Sequence, residues 1–147
     1  MKNIYLIFLL FGSLFAKDVF YDAKTDLTWQ DNKEVVEKVY KLNSGIFSTG
    51  AIDYCSKLEL NGFTNWRLPT IREYINILDI NKYNPAIRVK FKYTVLKDNS
   101  DGYYYWTSTL HSDKYTYRIN IKNGYFSGCS DTMKYHYFVR CVRKGDD

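Results

Sequence analysis

The chain has 147 residues, a net charge of +5, 18% aromatic side chains and only two prolines. That length fits one domain with a single hydrophobic core and excludes a string of domains. Its 21 Lys and Arg are scattered among 16 Asp and Glu, which argues against nucleic acid and leaves polyanionic glycans or anionic envelope surfaces as charge-based candidates.

Met1-Lys2-Asn3 supplies a positive end, residues 4–15 are an almost unbroken apolar run, and Ala16 offers a small residue before Lys17. This is the layout of a cleavable signal peptide over residues 1–16, leaving a domain at 17–147. The run falls short of the roughly 20 residues of a spanning helix, and no second one follows, so no stable membrane insertion is expected after cleavage. The expected location is periplasmic or secreted. Only Lys2 among the charged residues leaves with the leader, lowering the net charge from +5 to +4.

Val19-Phe20-Tyr21 and Leu27-Thr28-Trp29-Gln30 flank the turn formers Asp22-Ala23-Lys24-Thr25-Asp26, a pattern that predicts an N-terminal hairpin. Residues 34–42 carry Val35, Val36, Val39 and Tyr40, which suits a short helix or a strand equally. A helix is predicted over 51–60, capped by Ser48 or Thr49, with Ala51, Ile52, Cys55 and Leu58 on one stripe and Asn61-Gly62 as its stop. A strand-like Trp66-Arg67-Leu68 follows. After Pro69, Thr70 and Glu73 can satisfy each other's backbone amides as a capping box. The helix they open places Ile71, Tyr74, Ile75 and Leu78 towards the core.

The C-terminal half reads as strands. Residues 103–109 are aromatic and β-prone. Tyr115, Tyr117, Ile119 and Ile121 alternate with Thr116, Arg118, Asn120 and Lys122, which predicts a strand with one wet face. Asn123-Gly124 supplies a hairpin turn, since both residues tolerate positive φ, and 125–129 returns. In the last element Tyr137, Val139 and Cys141 share one face, and Phe138, Arg140 and Val142 the other. The expected class is α+β, two helices packed on a small antiparallel sheet.

The three cysteines, Cys55, Cys129 and Cys141, fit neither a zinc site nor a C-x-x-C pair, and an oxidising compartment makes one disulfide expected. Cys55 and Cys141 are both predicted to face inward, and joining them closes the longest loop, worth about 4 to 5 kcal/mol in the chain-entropy model. Cys129 is the alternative partner for either.

Taken in order, Leu27-Thr28-Trp29-Gln30-Asp31, Ala51-Ile52-Asp53-Tyr54-Cys55, Gly62-Phe63-Thr64-Asn65-Trp66-Arg67-Leu68-Pro69-Thr70-Ile71-Arg72-Glu73, Tyr105-Trp106-Thr107-Ser108-Thr109 and Val139-Arg140-Cys141-Val142-Arg143 resemble the signature of the Lcl C-terminal domain family. That family is similar to the C-type-lectin-like superfold and, more distantly, to formylglycine-generating sulfatase-modifying enzymes, which share an Arg-Leu-Pro-Thr-x-x-Glu element and a late Arg-Cys. The resemblance implies a C-type-lectin-like fold, a Cys55–Cys141 bridge from first helix to last strand, and a binding module in place of a catalyst. Cys129 departs from the pattern and leaves the redox state of its hairpin open.

The chemistry of these residues points the same way. The sulfatase-modifying relatives use a close pair of cysteines, whereas Cys129 and Cys141 are far apart and Cys141 is wanted for the bridge, so no oxidase activity, metal or cofactor is expected. Asn84-Pro85-Ala86 and Trp106-Thr107-Ser108 lack the carboxylates of lectin-type calcium loops. Asp98-Asn99-Ser100-Asp101-Gly102 does not fit the EF-hand register and reads as a solvated turn. His111 and His136 stand in no recognisable catalytic arrangement with a Ser, Cys or acid partner and are expected to have surface or hydrogen-bonded structural roles. Tyr105, Trp106, Tyr117 and Tyr137 are assigned to the core, with Trp29 and Trp66 likewise structural. Arg67, Arg140 and Arg143 are expected to bond buried carbonyls or acids, and Leu68, Pro69, Thr70 and Glu73 complete the structural motif.

The functional expectation is a non-catalytic module that holds a glycan, polyanion or exported protein. Its binding surface is expected in the loops between Ile80 and Asn99 or on a basic wet face of Lys114, Arg118 and Lys122. The rival expectation is an envelope-associated structural or assembly factor with no small-molecule site.

Overall fold

The computed structural model describes residues 18–42, 50–95, 104–112, 115–129 and 134–145. The predicted leader, the Ser48 or Thr49 cap, the cluster at 98–102 and Lys114 lie outside them.

The N-terminal hairpin forms as its turn residues predict: β1 (Val19–Asp22) pairs antiparallel with β2 (Leu27–Gln30). Asp22 closes the turn, its Oδ2 accepting from Thr25 Oγ1 at 2.6 Å. The undecided segment after it holds both alternatives, α1 (Glu34–Glu37) and then β3 (Val39–Tyr40). α2 (Ala51–Ser56) begins after Gly50 and is shorter than expected. It ends before Leu58, which is buried from beyond the helix, and Ile52 on its outer side stays 50% exposed instead of joining the core stripe. Asn61 and Gly62 both take positive φ, 51° and 80°, but they reverse the chain between Leu60 and Phe63, past the helix end.

α3 (Ile71–Ile77) carries the predicted capping box: Glu73 N donates to Thr70 Oγ1 at 3.2 Å and Thr70 N to Glu73 Oε2 at 2.7 Å. Its buried residues are Ile71, Tyr74 and Ile77, whereas Ile75 is 41% exposed. The helix is seven residues long and its C-cap Leu78 is extended, so the inward stripe steps by three and never completes the expected i+4 position.

Two sheets replace the single small sheet expected, and three short helices stand among the described residues where two were predicted. One sheet is β1-β2-β8, with β8 (Val142–Lys144) antiparallel to β2. The other is β3-β7-β4-β5-β6, comprising β7 (Tyr137–Phe138), β4 (Tyr104–Ser112), β5 (Tyr115–Asn120) and β6 (Phe126–Cys129). All its pairings are antiparallel except β4 with β7, which run parallel at Tyr105 and Phe138. At the Asn123-Gly124 turn, Gly124 alone takes positive φ, 76°.

The final segment is where the single-strand expectation fails. β7 belongs to one sheet and β8 to the other, with residues 139–141 crossing between them. Both faces of this segment are buried. Tyr137, Val139 and Cys141 enter a core with Cys55, Trp66, Leu68, Trp106 and Cys129. Phe138 and Val142 enter another with Trp29, Tyr74, Ile77, Tyr105 and Ile119, over which α3 packs. The five-stranded sheet divides these cores, which is why Tyr105 and Trp106, neighbours on β4, are both without exposed surface.

Candidate functional site

The Trp66–Glu73 stretch is occupied with holding the frame. Arg67 exchanges backbone hydrogen bonds with Val142, N to O at 2.9 and 2.8 Å, which links this loop to the three-stranded sheet. Its guanidinium forks onto Glu73, Nη1 to Oε2 at 2.9 Å and Nη2 to Oε1 at 2.6 Å. Burial pushes the Glu73 carboxyl up, but the Arg67 and Thr70 hydrogen bonds outweigh it and hold the group below the ordinary carboxylate value. Pro69 O accepts from Ser108 N at 2.8 Å, and Trp66 Nε1 donates to Phe63 O at 3.1 Å.

Arg140, with no exposed surface, donates to Gln30 O at 2.7 Å, to Asp31 Oδ1 at 3.2 Å and to Tyr93 O, and its guanidinium lies 3.8 Å from the Phe91 ring centre. Asp31 also accepts the backbone amides of Lys92 at 2.7 Å and Tyr93 at 3.0 Å. One buried ion pair thus pins the 91–93 segment against the end of β2. Arg143 Nε reaches Asn65 Oδ1 at 2.6 Å. The bridge joins Cys55 of α2 to Cys141, which sits just before β8 and not in a strand, with Cα atoms 5.6 Å apart. Cys129 takes no part in it and is buried in the same core.

The expected basic wet face is not a row of solvated cations. Thr116 is buried, and the β5 side bearing Thr116 and Arg118 lies with the disulfide core, Arg118 standing opposite Trp106. Arg118 is half-buried, with its guanidinium 4.2 Å from the Tyr104 ring centre and 5.0 Å from that of Tyr137, whose hydroxyl it also bonds. Lys122 lies over a different ring, Tyr83, at 5.8 Å. The surface alternation failed because the sheet has a core on each side. The loop after Ile80 is fixed: Asn84 N bonds Lys122 O at 2.7 Å, Ala86 N bonds Ile121 O at 2.8 Å, and Arg88 forks onto Asp22 at 3.0 and 2.5 Å. Ile80 and Tyr83 project from it, exposed.

Two concavities open beside the disulfide core. A groove of about 250 Å³ has Ile52, Trp66, Leu68 and Leu110 as apolar walls with Arg67 and Ser108 beside them. A shallower pocket of about 370 Å³ is made by Tyr40, Asp53, Tyr54, Lys57, Leu58 and Glu59. In it the rings of Tyr40 and Tyr54 stack, 4.7 Å between centres and 28° from parallel. The Tyr54 hydroxyl donates to Glu34 Oε2 at 2.5 Å and accepts from Gln30 Nε2 at 2.6 Å. Burial and the Glu34 carboxylate push this phenol far up, so it stays protonated. Lys57 Nζ pairs with Asp53 Oδ2 at 2.9 Å, and the Tyr40 carbonyl accepts the Trp106 indole N–H at 2.6 Å, which anchors the pocket to the core. Sequence reasoning missed Gln30, Asp31, Glu34 and Tyr54 as working groups. The quoted Gln-Asp and Asp-Tyr-Cys motifs contain three of them, and Glu34 lies in no motif.

A model of the Lcl C-terminal domain matches residues 18–143. The chain belongs to the Lcl C-terminal domain family. The matched stretch of this Lcl C-terminal domain takes in both sheets, both cores and the disulfide, and it ends inside β8. Neither the curated proteins nor the solved structures contain a match to it. Among the described residues of the Lcl C-terminal domain, no group of three or more His, Cys, Asp or Glu is placed to hold a metal ion. No helix among them is long and apolar enough to cross a membrane.

Proposed function

We propose that this domain is an exported, non-catalytic binding module of C-type-lectin-like fold, working in the periplasm or outside the cell on a glycan or an exported protein. The observation that carries the reading is the pocket over α2, where stacked tyrosines and three charged side chains open to solvent from a scaffold clamped by the Cys55–Cys141 bond. Aromatic walls with a few fixed polar groups suit recognition of a small ligand. The residues best suited to covalent chemistry have structural employment: Cys141 is bridged, and His111 packs between the rings of Tyr117 and Tyr115 at 4.9 and 6.0 Å. The leader-like first 16 residues and the disulfide both suit an oxidising compartment.

A polyanion ligand draws support from the basic balance of the chain, +5 with the leader and +4 without it, but loses Arg118, whose guanidinium is already stacked on two rings. A second reading, an envelope assembly factor, is favoured by the exposed apolar side chains Ile80 and Leu110, the former 95% accessible. Glycan arrays and heparin columns at low and moderate salt, run beside crosslinking and pull-down from the envelope, separate the two. Retention on a glycan is expected. A blank array and column with a reproducible protein partner favours the assembly reading, and blanks throughout overturn both.

A further inference from the structure

The pocket over α2 carries a more specific ligand assignment. Tyr40 supplies aromatic surface, while Tyr54, its hydroxyl committed to Gln30 and Glu34, contributes ring and not phenol. Asp53, Glu59 and Lys57 stand around these rings as two carboxylate acceptors and one ammonium donor. Lys57 is already paired with Asp53, and Glu34 beyond them is paired with Lys38, so the unbalanced charge of the lining is the negative one of Glu59. Such a lining repels carboxylated and sulfated ligands at close range. It accepts hydroxyl donors well, because hydrogen bonds to ionised carboxylates are the strong ones. The volume of about 370 Å³ is near the lower end of the roughly 300 to 1,000 Å³ of small-ligand sites, room for one ring and not a chain.

We propose that this pocket holds a single uncharged hexopyranose unit of a glycan, with the C–H face of the sugar on Tyr40 and its hydroxyls bonded to Asp53, Lys57 and Glu59. This rests on the binding-module reading and narrows it to a neutral sugar at a named site, away from Arg118 and Lys122. Discrimination against acidic sugars comes from Glu59, and the rigidity of the site from the Trp106 indole bond to the Tyr40 carbonyl.

The test is an amide-resolved NMR titration of the secreted protein with methyl glucoside, methyl galactoside and methyl mannoside, with methyl glucuronide as the acidic counterpart. At least one neutral glycoside is expected to shift amides of 53–59 saturably, with the glucuronide at least several-fold weaker. Tyr40→Ala, which keeps the carbonyl that Trp106 uses, should weaken binding about tenfold, the loss of one aromatic contact. Glu59→Gln, an exposed change that leaves the fold intact, should narrow the gap between glucuronide and glucoside, and it carries the test if Tyr40→Ala fails to fold. Tyr83→Ala at the opposite loop should change nothing. Saturable shifts elsewhere, unaffected by Tyr40→Ala and Glu59→Gln, would remove the site but leave a glycan-binding module standing. No shift with any neutral glycoside overturns the assignment, and the glycan-binding reading falls with it if the glycan arrays and heparin columns are also blank.

Discussion

The disulfide core is closed by a covalent bond from Cys55 to Cys141, whereas the core beneath α3 is closed over Arg140, a guanidinium that spans Gln30, Asp31 and Tyr93. The two clasps occupy adjacent residues and act on opposite sides of the folding equilibrium. A bridge between positions 86 apart in sequence acts mainly by restricting the unfolded chain. The Arg140–Asp31 pair acts in the folded chain, where each charge is tolerable only because the other is present. One clasp therefore answers to redox conditions and the other to the integrity of its partners.

The largest expected effect comes from opening the covalent clasp. Urea unfolding of reduced against oxidised protein should show a loss of about 4 to 5 kcal/mol, enough to rival the net stability of a small domain. Equal midpoints in the two states would mean that the bridge is not what closes this core. Next, Arg140→Met strands the Asp31 carboxylate in the interior at a cost of about 3 to 5 kcal/mol, and hydrogen exchange at the Lys92 and Tyr93 amides should accelerate. Adding Asp31→Asn to Arg140→Met should recover part of that loss, since no buried charge is then left alone.

Smaller effects come from the ion pairs and the helix cap outside the two clasps. Asp22, held by the Arg88 guanidinium, and Glu73, held by Arg67, both titrate below their ordinary values of 3.8 and 4.5. The unfolded chain binds protons first as the pH falls, so their stabilisation is complete above the ordinary values and is lost as pH drops through the folded ones. Arg88→Ala should flatten this acid limb in melting curves between about pH 5 and 2 and cost about 1 to 3 kcal/mol at neutral pH. Thr70→Ala, which removes the capping hydroxyl of α3, should cost about 1 kcal/mol, visible as a Tm several degrees lower. An unchanged Tm would show that the helix start is held without it, by Ser108 N on Pro69 O and by Thr109 Oγ1, which accepts from Ile71 N at 3.0 Å.

What was legible in the sequence was local. The Thr70–Glu73 box, the turn at Asp22 and the alternation of 137–142 depend on residues within a few positions of one another, and their patterns carry over into the structure. Arg118 was misread because the rings that engage it, Tyr104 and Tyr137, arrive on two other strands. Period-two alternation shows that a strand has two faces, but not that a second core covers the far one. The Arg140–Asp31 pair spans 109 positions, and the Tyr54 bonds to Gln30 and Glu34 span 24 and 20, so no window of sequence contains them. The candidate pocket lay wholly in that unreadable class: Tyr40 reaches it from β3 and the other lining residues from α2 and just beyond.

The alternation through residues 137–142 also makes the molecule intolerant of length change at one place. Deleting or inserting a single residue there would exchange every side chain between the two interiors, delivering Cys141 to the wrong compartment and the Arg140 charge to sulfur and tryptophan. Neither half can lose its share of this strip while the other keeps its own. The two halves should consequently melt as one cooperative unit, and homologous chains should vary in length everywhere before they vary here.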